Sequence, residues 1–317
     1  MNTEWDCIVV GGGAAGLSAA LVLGRARRRT LLVDAGAQSN LAAHGIGGLL
    51  GFDGTPPAQL YERGREQVRP YPSVEVREGE VVSATAGFIV ELADGTTERT
   101  RALLLATGMD YRGPDIAGLA ELWGTSVFHC PFCHGWEVRD APLAVVGTGE
   151  RAVHAALLLR GWTDDVVVLG NGSADLDDAQ RALLAAAGIP VDDRRIARLA
   201  SRNGELTAIE FTDGGSLARR GALVAATLHQ RSTLVERLGV DTVATPLSAE
   251  AVVVDPFQRT SVRGVFAAGD LGAGMPQVAA AVASGSVAAV AVVQYLMAGD
   301  VGLPVPPWPD QKELQHA

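Results

Sequence analysis

Cys7-Ile8-Val9-Val10-Gly11-Gly12-Gly13-Ala14-Ala15-Gly16, near the start of the 317-residue chain, reads as an apolar strand running into a glycine turn. An Ala/Leu-rich helix follows, then a second apolar strand, Thr30 to Val33, that ends at Asp34. Gly11, Gly13 and Gly16 satisfy the G-x-G-x-x-G spacing, in which the glycines permit the tight turn, the close approach of a pyrophosphate and helix–strand packing. Asp34 stands 23 residues after Gly11, where a carboxylate accepts hydrogen bonds from ribose hydroxyls. Strand, turn, helix and terminal acid together make a complete dinucleotide-binding unit.

The pattern starts again at Pro142, with Leu143 to Val146 as strand, Gly147-Thr148-Gly149-Glu150-Arg151-Ala152 as turn, a helix to Arg160 and a strand over Val166 to Leu169. Counting 23 residues from Gly147 lands on Gly170, followed by Asn171 and Gly172, so no carboxylate faces a ribose. No Arg or Lys lies between Thr163 and Gln180 to hold a 2′-phosphate, and Asp175, Asp177 and Asp178 would repel one. The second unit reads as a scaffold, or as a nicotinamide site without its usual ribose partner. Between the units, a helix over Ala58 to Arg69 precedes a strand over Val74 to Val82, a hairpin of Phe88–Leu92 and Thr96–Thr100 across Asp94-Gly95, and a strand over Ala102 to Ala106. Near the end, Gly264-Val265-Phe266-Ala267-Ala268-Gly269-Asp270 is a short strand whose terminal carboxylate suits polyol hydroxyls. Pro304 to Pro309 reads as an extended tail.

The length is about twice that of a typical domain of roughly 150 residues, which predicts two cores. A net charge of -10 argues against a nucleic-acid partner, because phosphate binding needs clustered cations. The one basic run, Arg25-Ala26-Arg27-Arg28-Arg29, falls where a helix C-terminus favours positive charge. Met1 to Asp6 shows no basic segment leading into an apolar one, so a cytoplasmic protein with reduced thiols is expected. Met275 to Met297 carries no charge and is long enough to span a bilayer. Its Ala, Gly, Ser and Val content, with Gln277 and Gln294 inside, reads instead as a helix buried between a cofactor and a sheet, and no membrane partner is expected.

His129-Cys130-Pro131-Phe132-Cys133-His134-Gly135 holds two of the three cysteines. The third, Cys7, sits in a strand and reads as core. In a reducing compartment a Cys-x-x-Cys pair is redox-active or metal-binding rather than a structural staple. Haem attachment uses this same Cys-x-x-Cys-His motif but needs export; a zinc site needs four ligands, and no second cysteine pair completes one. No metal is expected. A Cys-x-x-Cys motif lowers a thiol pKa and lets two sulfurs close a small reducible ring, so a dithiol/disulfide couple is the reading that remains. His129 and His134 flank it as candidate proton acceptors, or as turn histidines held by hydrogen bonds.

The glycine turn with Asp34, Ala106-Thr107-Gly108, the cysteine pair between two nucleotide units, and Val265 to Asp270 with Gln277 together resemble the low-molecular-weight thioredoxin reductases, over nearly the whole chain. The resemblance implies an α/β fold of two Rossmann-like three-layer dinucleotide-binding domains, the second inserted in the first. An FAD-binding domain over 1–114 plus 244–317 would then enclose an NAD(P)-binding-like domain over 115–243 that carries the redox pair. It further implies FAD contacts from Gly11, Gly13, Ala15, Gly16, Asp34, Asn40, Val82, Thr107, Gly108, Gly269, Asp270, Gln277 and Val278, and a homodimer.

Two departures separate the chain from the reductases: Gly170-Asn171-Gly172 replaces a His-Arg-Arg cluster, and His134 replaces an Asp after the second cysteine. Both resemble the gliotoxin-, holomycin- and romidepsin-type dithiol oxidases of natural-product biosynthesis. That branch implies a small-molecule dithiol substrate that attacks Cys130, a Cys133 that passes two electrons to FAD, molecular oxygen as acceptor and hydrogen peroxide as product. The alternatives are an NADPH-dependent thioredoxin or disulfide reductase, and a non-catalytic nucleotide-binding regulator. Leu41 to Phe52, with His44 as its only titratable side chain, reads as the lining of an apolar pocket or as a packed loop.

Overall fold

The computed structural model describes residues 4–85, 87–272, 274–304 and 308; most of the expected Pro304 to Pro309 tail lies outside them. The chain begins with β1 (Trp5–Val10), α1 (Ala14–Arg25), β2 (Thr30–Asp34), α2 (Pro57–Val68), β3 (Val74–Glu78), β4 (Val81–Ala84), β5 (Ile89–Leu92), β6 (Thr97–Leu105) and β7 (Met109–Arg112). It continues through α3 (Leu119–Leu122), β8 (Val127–Phe128), α4 (Pro131–His134), β9 (Leu143–Val146), α5 (Gly149–Leu159), β10 (Val166–Leu169), α6 (Asp178–Ala186) and β11 (Val191–Asp192). The antiparallel β12 (Ile196–Arg202), β13 (Glu205–Phe211) and β14 (Ser216–Ala218) precede β15 (Gly221–Val224), β16 (Thr227–Gln230), α7 (Leu234–Arg237), β17 (Thr242–Val243), β18 (Ala251–Val252), β19 (Val265–Ala267) and α8 (Val278–Val301).

These elements form two units. One comprises Met1–Ser39, Pro57–Tyr111 and Leu228–Ala317, the other Asn40–Pro56 and Arg112–Thr227. The sequence suggests 1–114 with 244–317, and 115–243; the segment Asn40–Pro56 goes instead with the second unit, and residues 228–243 with the first.

In the first unit the strand order is β3-β2-β1-β6-β5-β4, with β19 also on β6. β6 is one strand of nine residues rather than the two short ones expected: its start pairs antiparallel with β5 across the Asp94-Gly95 turn, and its end pairs parallel with β1 and β19. The strand expected over Val74 to Val82 is instead two, β3 and β4. Successive strand residues face opposite sides. Ile8, Val10, Leu103 and Leu105 therefore join one core, while Cys7, Val9, Leu104 and Phe266 join another against α1 and α8.

Cys7 is fully buried, and that burial drives its thiol pKa far upward, as befits a core residue. The basic run sits at the end of α1 and the turn after it, where Arg28 pairs with Asp300 and Arg29 lies 4.2 Å over the Trp5 ring.

α8 is long and apolar enough to cross a membrane by length and composition. Its Ala288, Ala289, Val292 and Leu296 are nevertheless buried in the core with α1. The approach is as close as glycine allows: a Cβ on Gly285 would stand 2.0 Å from the carbonyl oxygen of Ala15. The expectation of a helix covered on both sides needs correction, because Val287, Val290 and Met297 are exposed on its outer face. Its apolar residues encircle the helix, and one face alone is packed.

The second unit has a parallel sheet in the order β11-β10-β9-β15-β8, with β9, α5 and β10 repeating the strand–helix–strand pattern of β1, α1 and β2. Val145 and Val168 pack toward one core and Ala144 and Val167 toward the other.

Gly285→Ala is expected to destabilise the first unit by roughly 1–3 kcal/mol, the usual cost of overpacking a tight contact. Urea unfolding followed by circular dichroism measures this, and an unchanged midpoint would contradict the packing account.

Candidate active site

The redox pair is built on the shortest of helices. Cys130 is the N-cap of α4 in extended conformation, Pro131 opens the helix, and Cys133 N–H donates to the Cys130 carbonyl at 3.2 Å. This turn brings the Cα atoms to 5.4 Å, and the two sulfurs are joined as a disulfide. Cys130 is buried at 8% exposure, and Cys133 is half-buried. Phe132 and Trp136 stand exposed on either side, and Phe132 meets Trp162 edge to face at 5.6 Å.

Both flanking histidines are half-buried and stacked. His134 lies 5.5 Å from Phe128, and His129 lies 5.7 Å from Trp123. His134 Nε2 is 3.1 Å from the Gly124 carbonyl oxygen, which only accepts, so Nε2 carries the proton of the neutral ring. The lone pair is then on Nδ1, which is buried and makes no hydrogen bond. Being four residues after Cys130 on the same turn, His134 shares its face. Burial lowers the pKa of His134, against the opposing pull of the Gly124 and Cys130 carbonyls and of Glu137. Burial, aided by His134, lowers that of His129 to about 4. Both rings are therefore neutral at physiological pH.

The loop 40–56 packs onto this centre within the same unit. A Cβ on Gly47 would lie 2.5 Å from the Cys133 carbonyl oxygen, and one on Gly124 would lie 3.1 Å from the Ala42 Cβ.

The residues expected to hold a flavin nucleotide lie mostly in the first unit. Gly11 has φ +108°, and its Cβ would overlap the Ala106 carbonyl; a Cβ on Gly16 would stand 1.8 Å from the Gly11 carbonyl oxygen. Gly13 is the N-cap of α1 and supplies no capping side chain, with Ala15 in the first turn, so backbone N–H groups of that turn are left for an anion. Asp34, 7% exposed at the end of β2, accepts from Gly36 N–H at 2.9 Å and from Gln38 Nε2 at 3.0 Å, and faces Arg65 at 3.6 Å. Thr107 and Gly108 follow β6, and Gly269 and Asp270 follow β19, its neighbour, so the two turns share one edge. Gln277 and Val278 begin α8, again without a side-chain cap. Val82 is exposed on β4, and Asn40, six residues after Asp34 in sequence, opens the loop that belongs to the second unit. A glycine turn in which Gly11 and Gly16 leave no room for a Cβ, two helix N-termini without side-chain caps and a strand-end carboxylate fit a dinucleotide.

Sequence reasoning passed over three residues here. Gln38 bonds both Asp34 and the Gly12 carbonyl, and Tyr111 Oη donates to Asp270 Oδ2 at 2.8 Å across 159 positions of sequence. Arg195 lies with its Cζ 3.4 Å from where a Gly172 Cβ would be. A search confined to Thr163–Gln180 cannot find it, because it arrives from beyond β11.

The pyridine nucleotide-disulphide oxidoreductase family matches residues 5–285. The thioredoxin reductase tcpT of Claviceps purpurea is 35% identical over 306 residues, covering 92% of this chain and 94% of that one. Among solved structures, that of HlmI is 38% identical with a TM-score of 0.89 and 95% of each chain covered. The oxidoreductase from Agrobacterium tumefaciens is also 38% identical, with a TM-score of 0.87, covering 93% of this chain and 99% of that one.

The His129 environment carries a sign. Its folded pKa lies below the unfolded value of about 6.5, so stability is complete above pH 6.5 and falls as pH drops toward 4, where the unfolded chain binds the extra proton. The loss is expected to reach roughly 2–3 kcal/mol. Melting temperatures between pH 7 and 4 for the wild type and His129→Phe test this, the variant giving the flatter curve.

Proposed function

The chain belongs to the pyridine nucleotide-disulphide oxidoreductases, as a thioredoxin reductase-like flavoprotein that uses FAD, and on that premise we propose that it is a dithiol oxidase, forming an intramolecular disulfide in a small-molecule dithiol. The observation that carries the reading is the buried, unpartnered Nδ1 of His134 one turn from Cys130. A neutral base held beside a disulfide suits a substrate that arrives as a thiol and must lose protons.

A substrate thiolate attacks Cys130, breaking the Cys130–Cys133 bond and forming a mixed disulfide. The second substrate thiol displaces Cys130, so that the cyclic disulfide leaves and two electrons and two protons remain on the cysteines. His134 Nδ1 takes the proton of the incoming thiol, with His129 as a second acceptor. When bound, FAD supplies a two-electron acceptor for the dithiol and a donor to molecular oxygen, giving hydrogen peroxide.

Gly11, Gly13, Ala15 and Gly16 hold the pyrophosphate side of FAD in this reading and Asp34 its ribose. Thr107, Gly108, Gly269, Asp270, Gln277 and Val278 hold the remainder, with Asn40 and Val82 as outlying contacts. The assignment includes a cytoplasmic homodimer working in natural-product biosynthesis. The exposed stripe Val287, Val290 and Met297 on α8 is an apolar face for a second copy.

Arg195 beside Gly172 favours a second reading, an NADPH-dependent disulfide reductase, because a guanidinium at the end of β10 suits a 2′-phosphate. Its neighbour Asp193 opposes it: the Asp193 carboxylate accepts from Ala174 N–H at 2.6 Å in the same turn.

Cys130→Ser and Cys133→Ser are each expected to abolish dithiol-dependent peroxide formation while FAD stays bound; retained turnover would overturn the mechanism. Residue exposure favours Cys133 over Cys130 as the point of entry, so a trapping experiment run from the product side decides the order: the lone Cys130 thiolate of Cys133→Ser should open an added cyclic disulfide and hold it as a mixed disulfide with one free substrate thiol. An adduct found instead on Cys133 in Cys130→Ser would reverse it.

His134→Ala should slow cysteine reduction by roughly 10²-fold. The loss should be greatest at low pH, where a thiol with pKa near 8.5 supplies least thiolate unaided. The lowered pKa of His134 keeps the wild-type base neutral below the ordinary histidine range, so the wild-type profile should hold into acid where the variant's falls.

A further inference from the structure

The loop 40–56 is a closed, glycine-built loop with its own hydrogen bonds. Ile46 N–H donates to the Thr55 carbonyl and Gly54 N–H to the Ile46 carbonyl, at 2.9 and 2.8 Å, so the two arms meet. Gly48 N–H donates to Asp53 Oδ1 at 2.8 Å, and Phe52 N–H to the Leu49 carbonyl at 2.9 Å, which fixes the tip. Ile46, 4% exposed, anchors it.

The first arm runs over the redox centre. Ala42 lies against Gly124, whose carbonyl holds His134, and Gly47 lies against the Cys133 carbonyl so closely that no side chain fits there. Leu50 stands at the tip with 98% of its surface exposed. The fold gains nothing from its being apolar. Single exposed leucines are ordinary, but contiguous apolar exposure marks binding surfaces. Here Leu41 and Leu50 lie on one of two segments that touch where Ala42 meets Gly124 and Gly47 meets Cys133, and exposed Phe132 lies on the other, between the two cysteines of the disulfide. His44 is the one titratable side chain from Leu41 to Phe52, which holds no Asp, Glu, Lys or Arg, and Asp53 is tied back to Gly48.

The structure assigns substrate selection to this loop: it admits a neutral, apolar dithiol to the Cys130–Cys133 disulfide, and Leu50 is the specificity-determining residue. The inference rests on the dithiol-oxidase reading. The exchange balances on the protein itself: one substrate dithiol and the Cys130–Cys133 disulfide give one substrate disulfide and two cysteine thiols.

The test compares dihydrolipoamide, which is neutral, with dihydrolipoate, which has the same dithiol and carries one carboxylate. The FAD-loaded wild type, Leu50→Lys and the remote exposed-surface control Leu183→Lys are assayed for kcat/KM. Dividing variant by wild type removes the intrinsic reactivity of each dithiol. Leu50→Lys is expected to shift the dihydrolipoamide-to-dihydrolipoate ratio about fivefold toward the anion, with an unchanged melting temperature. Leu183→Lys should leave the ratio in place. An unchanged ratio in Leu50→Lys, an equal loss on both dithiols, or the same shift in Leu183→Lys overturns the inference while the oxidase reading stands. Failure of the wild type to oxidise either dithiol overturns both.

Discussion

Backbone touching backbone is the constraint on which the rest of the first unit depends. A Cβ on Gly16 would stand 1.8 Å from the Gly11 carbonyl oxygen, and one on Gly285 would stand 2.0 Å from that of Ala15. The first contact lets α1 rise directly off β1, with its uncapped N-terminus aimed at the glycine turn; the second clamps α8 across the same helix. Everything expected to hold FAD in this unit hangs on that stack, including Asp34 at the neighbouring strand end. Because the contacts are between main-chain atoms, no side-chain repacking can relieve an added methyl group.

The same device recurs at the redox centre, where Gly47 brings the loop 40–56 onto the Cys133 carbonyl. There it serves chemistry rather than packing. The centre unites a four-residue helix, a disulfide, two stacked neutral imidazoles and a glycine-rich loop within one unit. Burial is what ties these together, because it excludes water from the histidines, lowers their pKa values and so keeps them unprotonated. An enzyme that receives protons from a substrate thiol needs its base in that state.

Much of this was legible in the chain. Periodicity and glycine spacing specify both strand–turn–helix–strand units to within a residue or two, since a parallel buried strand must be apolar throughout and its turn must be glycine. Two local signals misled. Gly79 and Glu80 break the Val74–Val82 run, and Arg101 does not break β6, because its guanidinium reaches Asp6 and Asp300 at the surface while its backbone stays in the ladder. The cysteine pair and its histidines were readable as a motif, but the tautomer of His134 depends on Gly124, ten residues away, and no spacing encodes that. The Tyr111–Asp270 bond, Arg195 beside Gly172 and the seat of the loop on Cys133 are likewise long-range contacts that only folding creates.

The central claim is that electrons enter through the cysteines from a dithiol rather than through the second unit from a nicotinamide. Anaerobic titration of the purified yellow protein, followed by flavin absorbance, tests it most directly. The account predicts stoichiometric bleaching by a small neutral dithiol and little change with NADPH. Prompt bleaching by NADPH, with none by the dithiol, would contradict it.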